Sequence, residues 1–158
     1  QRKFLRDDNL RAVLVVRVES PRIAAEWNNN MQAFVEGLGQ GIPVNISSDP
    51  RNETRAWAEY NAGSGGKISL WPSPLGLAAT FDPELVEKFG RIASAEYRAL
   101  GIATALSPQI DLATEPRWNR FYGTFGEDPD LDTDMARAYI DGFQTSVGAA
   151  EIADGLGV

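Results

Sequence analysis

Between Ser107 and Pro129 the sequence runs SPQIDLATEPRWNRFYGTFGEDP, setting Asp111, Glu115 and Glu127 among Arg117, Arg120 and the rings of Trp118, Phe121, Tyr122 and Phe125. Carboxylates and guanidinium groups this close together can orient a polar ligand through charge-assisted hydrogen bonds, and aromatic rings can offer it an apolar face. The stretch keeps neither the 3.6-residue period of a helix nor the alternation of a strand. Loops of such length in a compact chain carry function when a rigid scaffold holds them. It is therefore expected to build a site.

What chemistry that site can do is narrowed by what is missing. The 158 residues contain no histidine and no cysteine. Ser-His-Asp catalysis, His-ligated zinc, thiolate metal sites, disulfides and cysteine nucleophiles are all excluded within the chain. Acid–base work falls to carboxylates, lysine or tyrosine, and neither a metal nor a cofactor is expected. The formal net charge of −7 argues against a nucleic-acid partner, which would call for a basic face. No run approaches the roughly 20 apolar residues that span a bilayer. Gln1 to Asp8 is charged and has no apolar signal-peptide core, so the compartment is not read from this end.

The elements that must hold the loop can be taken in order. Arg11 to Val18 contains the β-branched run Ala12 to Val16, the pattern of a strand buried on both faces of a parallel sheet. Ser20 and Pro21 then read as the cap and first residue of a helix. Its apolar residues Ile23, Trp27, Met31, Phe34 and Leu38 recur at helical spacing, which makes Trp27 a core anchor rather than a ligand contact. Ile42 to Ser48 is a second strand, followed by Asp49 and some thirty residues without a helix signal. Gly63 to Gly66 reads as the flexible tip of that excursion, and Trp71 to Gly76 as irregular backbone. Gly63 to Lys67 is not a phosphate loop, because the spacing and the strand–helix context are both wrong.

Asp82, Pro83 and Glu84 open the clearest helix, with Leu85, Val86, Phe89, Ile92, Ala93, Tyr97 and Leu100 along one face. Gly101 stops it, and Ile102 to Leu106 is the third strand. After the site loop, Asp130 or Asp132 is expected to open a last helix with Met135, Tyr139, Phe143 and Val147 inward. The Gly-rich residues after Val147 read as a connection. Alternating strands and helices imply an α/β fold with a parallel sheet and right-handed crossovers. Both long loops then leave the carboxyl ends of strands, the ligand face of barrels and open sheets alike. Three strands do not close a barrel, so the chain is expected to be about three βα units of a larger (β/α)8 barrel.

Three segments bear a resemblance to a known family: GIPVNISSDPRN, then WPSPLGLAATFDPELVEKFGRIASAEYRALGI, then ALSPQIDLATEPRWNRFYGTFGEDP. Together they resemble the N-terminal barrel domain of glycoside hydrolase family 3, and bacterial β-glucosidases in particular. PRWNRFYGTFGEDP is the most specific motif, although family members more often have Gly where Asn119 stands. The resemblance implies that residues 1–158 are the N-terminal portion of such a barrel. It implies an exo-acting, retaining hydrolase that removes a β-linked glucosyl residue from a non-reducing end, acting on a β-glucoside or oligosaccharide, with a periplasmic or secreted location favoured. Asp49 matches the acid that accepts from the sugar's hydroxyls, and Arg120 the arginine that contacts the same sugar. The family's Lys-His pair, its nucleophile and its acid/base are expected beyond Val158, so no catalytic residue is assigned in this segment. The isolated chain is accordingly expected to lack hydrolytic activity.

Each of these residues also has an ordinary structural reading. Asp49 before Pro50 suits a turn, and an arginine such as Arg120 suits an ion pair. Asp111, Trp118 and Trp71 are candidate pocket lining, as is Tyr122, but an Asp in a loop also bonds backbone and the aromatic rings also anchor loops. Arg117 and Glu127 read as loop-stabilising charges, paired with each other or with Arg120. Asn45-Ile46-Ser47 and Asn52-Glu53-Thr54 match the glycosylation pattern by chance. The alternatives are a non-catalytic sugar-binding or structural module, or β-xylosidase or β-N-acetylglucosaminidase specificity. An uncapped part-barrel also exposes apolar sheet edges, so self-association is expected.

Overall fold

Ile46 is the fully buried centre of β2 (Asn45–Ser48), which pairs in parallel with β1 (Ala12–Leu14) on one side and β3 (Thr104–Ala105) on the other. The computed structural model that shows this describes residues 2–16, 18, 20–49, 52–53 and 68–144. The tip at Gly63 to Gly66, Lys67, Val147 and the Gly-rich final residues lie outside the described residues. Val13 stands opposite Ile46 and Ser48 opposite Ala105, so the three strands run in step. The architecture is the α/β one expected, a parallel three-stranded sheet with helices in its crossovers.

Serine and aspartate followed by proline start the long helices. In α1 (Pro21–Glu36) the Ser20 hydroxyl accepts from the Ile23 amide at 3.2 Å. In α3 (Pro83–Ala99) the Asp82 carboxylate accepts from the Leu85 amide at 3.1 Å. In α4 (Pro129–Gln144) the cap is Asp128, which accepts from the amides of Asp130 and Leu131 at 3.0 and 2.8 Å. The expected openers Asp130 and Asp132 instead sit inside the first turn. A short α2 (Pro74–Ala78), capped by Ser73, occupies part of the stretch expected to be irregular; five residues are too few to show a period.

Two expectations about the first βα unit are corrected. The buried face of α1 is Asn28, Met31 and Val35, whereas Ile23 is 55 % and Trp27 39 % exposed. Trp27 is therefore not a core anchor. The turn of the helix follows Asn28, whose Nδ2 donates to the Leu100 carbonyl at 2.6 Å. Asn28 packs against Gly101, where a Cβ would come within 2.8 Å of it. Satisfying a carbonyl at the end of α3 outweighs burying one more indole. Strand β1 is likewise not buried on both faces. Leu14 is 40 % and the following Val16 52 % exposed, while Val13 and Val15, on the other face, pack against the core. Leu106, just past β3, is exposed as well, so apolar side chains are open at both edges.

The tightest packing lies between α3 and α4. Gly90 and Gly142 meet backbone to backbone, and a Cβ on Gly142 would lie 2.9 Å from the Gly90 Cα. Ser94 Oγ crosses the same seam to donate to the Phe143 carbonyl at 2.8 Å. Beside the seam Phe89 gathers the rings of Trp71, Tyr139 and Phe143 at centroid distances of 5.3, 5.4 and 6.4 Å, and Tyr139 stacks on Phe143 at 4.7 Å. This aromatic core lies beneath the two loops that leave β2 and β3.

Candidate functional site

Asp49 is the first residue past β2. Its main-chain carbonyl accepts from the Tyr97 hydroxyl at 2.8 Å and from Ser48 Oγ at 2.9 Å. Its half-buried side chain has no hydrogen-bond or ion-pair partner among the described residues. The backbone is committed and the carboxylate is left over.

Three residues on, the chain is pinned again. The Glu96 carboxylate, in the last turn of α3, accepts from Asn52 Nδ2 at 2.6 Å, the Ser69 amide at 2.8 Å and Ser69 Oγ at 2.7 Å. Trp71 Nε1 donates to Ser69 Oγ at 2.9 Å, and the Trp71 amide donates to the Asn52 carbonyl at 2.6 Å. Glu96 thus ties the outgoing and returning limbs of the excursion after β2 to one helix. Asn52 is only 3 % exposed, with its amide engaged, so it does not offer a glycosylation acceptor.

The loop after β3 is a series of turns anchored at both ends. It opens with a cis Ser107–Pro108 bond, and the Tyr139 hydroxyl donates to Ser107 Oγ at 2.9 Å. Burial pushes that hydroxyl's pKa well above its ordinary value, so it remains a donor. At the far end Phe125 is buried against Tyr139, and the Ala113 amide donates to the Gly126 carbonyl at 2.8 Å. Between these anchors Glu115 holds Arg117 through a two-pronged contact of 2.8 Å per bond and also accepts from the Arg117 amide. The side-chain and then the backbone bonds from Arg117 hold the Glu115 carboxyl at about 2. Arg117 is thereby spent on its own turn, with Glu115 rather than Glu127 as its ion-pair partner among the described residues. Arg120 differs. It is exposed, and among the described residues its side chain has one partner, Gln109 Oε1 at 3.2 Å.

The candidate lining residues separate on the same criteria. Trp71 is a packing anchor, half-buried with its ring edge on Phe89 and its Nε1 occupied. Trp118 is half-buried within the turn, its amide donating to the Glu115 carbonyl at 3.0 Å. Asp111 is exposed and lies close enough to Asp132 for its charge to act there. Asp132 is buried, and its Oδ1 meets no hydrogen-bond partner among the described residues. Burial, and then the Asp111 charge, raise the Asp132 pKa. A carboxyl whose folded pKa is raised costs nothing below its unfolded pKa near 3.9, and costs most once the pH has passed its folded value. Asp132→Asn mimics the protonated acid. Its thermal midpoint is expected to exceed that of the wild type at pH 7, and the gap to close as the pH falls toward 4. A gap that is constant or widens on acidification would count against this account.

Among the described residues no group of three or more Asp and Glu side chains could hold a metal ion. The arrangement offers a lone carboxylate and a lightly used guanidinium on segments leaving adjacent parallel strands. Sequence reasoning missed Glu96, Asn52, Ser69 and Gln109, which hold these segments in place. Glu96 did carry a signal, since a carboxylate in the last turn of a helix opposes the helix dipole and needs compensating partners.

Residues 1–154 match the family model described as the glycosyl hydrolase family 3 N terminal domain. The chain belongs to glycosyl hydrolase family 3. The domain of this glycoside hydrolase family is TIM-barrel-like, and the three strands in parallel fit it as a part. The chain is 52 % identical over 126 residues to the periplasmic beta-glucosidase/beta-xylosidase of Dickeya chrysanthemi, covering 80 % of this chain and 19 % of that protein. It is 47 % identical over 123 residues to beta-glucosidase C of Emericella nidulans, covering 76 % and 19 %. A beta-glucosidase of Listeria innocua, solved with glucose, superimposes with a TM-score of 0.67 at 27 % identity, over 85 % of this chain and 16 % of that one. The chain therefore spans about a fifth of the length of the curated relatives it matches.

Proposed function

We propose that the chain carries the sugar-holding part of an exo-acting, retaining β-glucosidase, with Asp49 and Arg120 as the substrate-binding pair. The observation that carries this reading is the unspent charge. Asp49 and Arg120 lie on the segments that leave the carboxyl ends of adjacent strands, with their functional groups largely unpaired among the described residues, while their neighbours are consumed in anchoring. A carboxylate accepts from vicinal hydroxyls and a guanidinium donates to sugar oxygens, orienting the ring beneath catalytic groups supplied elsewhere in the protein. Such bonds strengthen as the sugar approaches an oxocarbenium-like state. The Dickeya relative's name supports both the substrate class and a periplasmic or secreted location.

Asp49→Ala and Arg120→Ala, introduced singly into the protein that carries this chain, are each expected to lower kcat/KM for an aryl β-D-glucopyranoside by about a hundredfold. The thermal midpoint should stay within about a degree, since neither group supports packing. Retention of kcat/KM in both variants would overturn the reading. A second reading, β-xylosidase specificity, is favoured by the double name of the Dickeya relative and by 34 % identity to a putative beta-xylosidase of Formosa agariphila. Glucose and xylose share the hydroxyls that this pair would hold, so comparing aryl β-glucoside with aryl β-xyloside separates the two.

A further inference from the structure

We infer that Glu96 is a positioning residue for the Asp49 subsite, acting with its neighbour Tyr97 as a two-point clamp on Asp49 and Asn52; this rests on the sugar-holding reading of Asp49. The two residues are consecutive at the end of α3, yet each grips the same short segment. Tyr97, 1 % exposed, donates to the Asp49 carbonyl, and Glu96 takes the Asn52 amide three residues later. Asp49 is thus held at its own carbonyl by Tyr97 and, three residues downstream, through Asn52 by Glu96, both anchors standing on one helix.

The Glu96 end is chemically particular. A carboxylate accepts only, and here it faces donors on both oxygens: Asn52 Nδ2 and Ser69 Oγ on Oε2, and the Ser69 amide on Oε1. A carboxamide of the same shape cannot serve. With its NH2 at the Oε2 position it meets Asn52 Nδ2, and at the Oε1 position it meets the Ser69 N–H; either orientation opposes donor to donor. Fixing a reacting or binding group within a fraction of an ångström is what such supporting bonds accomplish, and misplacement costs affinity without removing any ligand contact.

The test is a double-mutant cycle on the protein that carries this chain, read as D-glucose affinity by NMR titration and kcat/KM on an aryl β-glucoside. Glu96→Gln is expected to weaken both by about tenfold, with the glucose-responsive resonances otherwise intact. Combined with Asp49→Ala, it should add little further loss, because Glu96 acts through Asp49. Ser69→Ala, which removes one of the donors to Glu96 together with the acceptor of Trp71 Nε1, should show the same coupling at smaller size and serves if Glu96→Gln does not fold. Full additivity, or unchanged affinity in Glu96→Gln, would overturn the inference while leaving the role of Asp49 standing. An Asp49→Ala protein that binds glucose as the wild type does would sink the sugar-holding reading itself, and this inference with it.

Discussion

Gly142→Val is expected to destabilise the fold by about 3 kcal/mol or more, at the upper end of what overpacking costs. At this crossing α3 and α4 touch through main chain. A Cβ on Gly142 would run into the Glu87 carbonyl oxygen, and would lie 2.9 Å from the Gly90 Cα and 3.1 Å from the Arg91 nitrogen. None of these is the movable end of a side chain, so the helices must separate. Valine's better helix propensity returns only a few tenths of a kcal/mol relative to glycine, and sterics win. Separation would also stretch the Ser94 to Phe143 bond across the seam. For a chain of this size the thermal midpoint should drop by roughly 6–12 °C. An unchanged midpoint would mean that the crossing is looser than its geometry.

The Gly90–Gly142 contact was not legible in the sequence, although both helices were. Proline after Ser20 and after Asp82 marked the starts of α1 and α3, because capping is a local matter of a few atoms, whereas α4 was expected to open at Asp130 or Asp132 and opens at Asp128. Which face a helix buries is not local. The spacing of Ile23 and Trp27 satisfied the helical period, yet Asn28 turned inward to reach a carbonyl 72 residues away. A polar side chain with a distant partner leaves no periodic trace. β1 failed for a related reason. Its β-branched run marks a strand, but whether a strand has one covered face or two depends on what lies beside it.

The candidate site divides along the same line. The loop after β3 announced itself through composition, but composition does not say which charges are spent. The two arginines of the PRWNR segment differ in what their neighbours demand. Arg117 lies two residues from Glu115, and the turn at Pro116 brings the two side chains together. Arg120 has only the neutral Gln109 as a partner among the described residues, which is why the guanidinium nearer the loop's 3-10 turn at Phe121–Gly123 is the one left for a ligand. The excursion after β2 was harder still. Its order comes from Glu96, a residue of α3 to which the sequence reading assigned no role.

Phe89→Ala is expected to cost about 3–5 kcal/mol, the range for removing a buried aromatic ring from a core. Against a typical total of roughly 5–15 kcal/mol, a loss of that size lowers the thermal midpoint by roughly 6–20 °C. The effect should also reach the site. Phe89 supports Trp71, whose indole and amide are bonded to Ser69 and Asn52 on the excursion after β2. On its other side it supports Tyr139, whose hydroxyl holds Ser107 at the start of the loop after β3. One ring thus underlies both segments that carry the proposed sugar contacts. Phe81→Ala is the matched control, removing the same atoms from a side chain that is 74 % exposed. It should stay within about 0.5 kcal/mol of the wild type. Amide exchange should then quicken at Asn52, Ser69 and Ser107 in the Phe89 variant before the fold is lost; protection there equal to that in the Phe81 variant would show that the two loops are held without the ring.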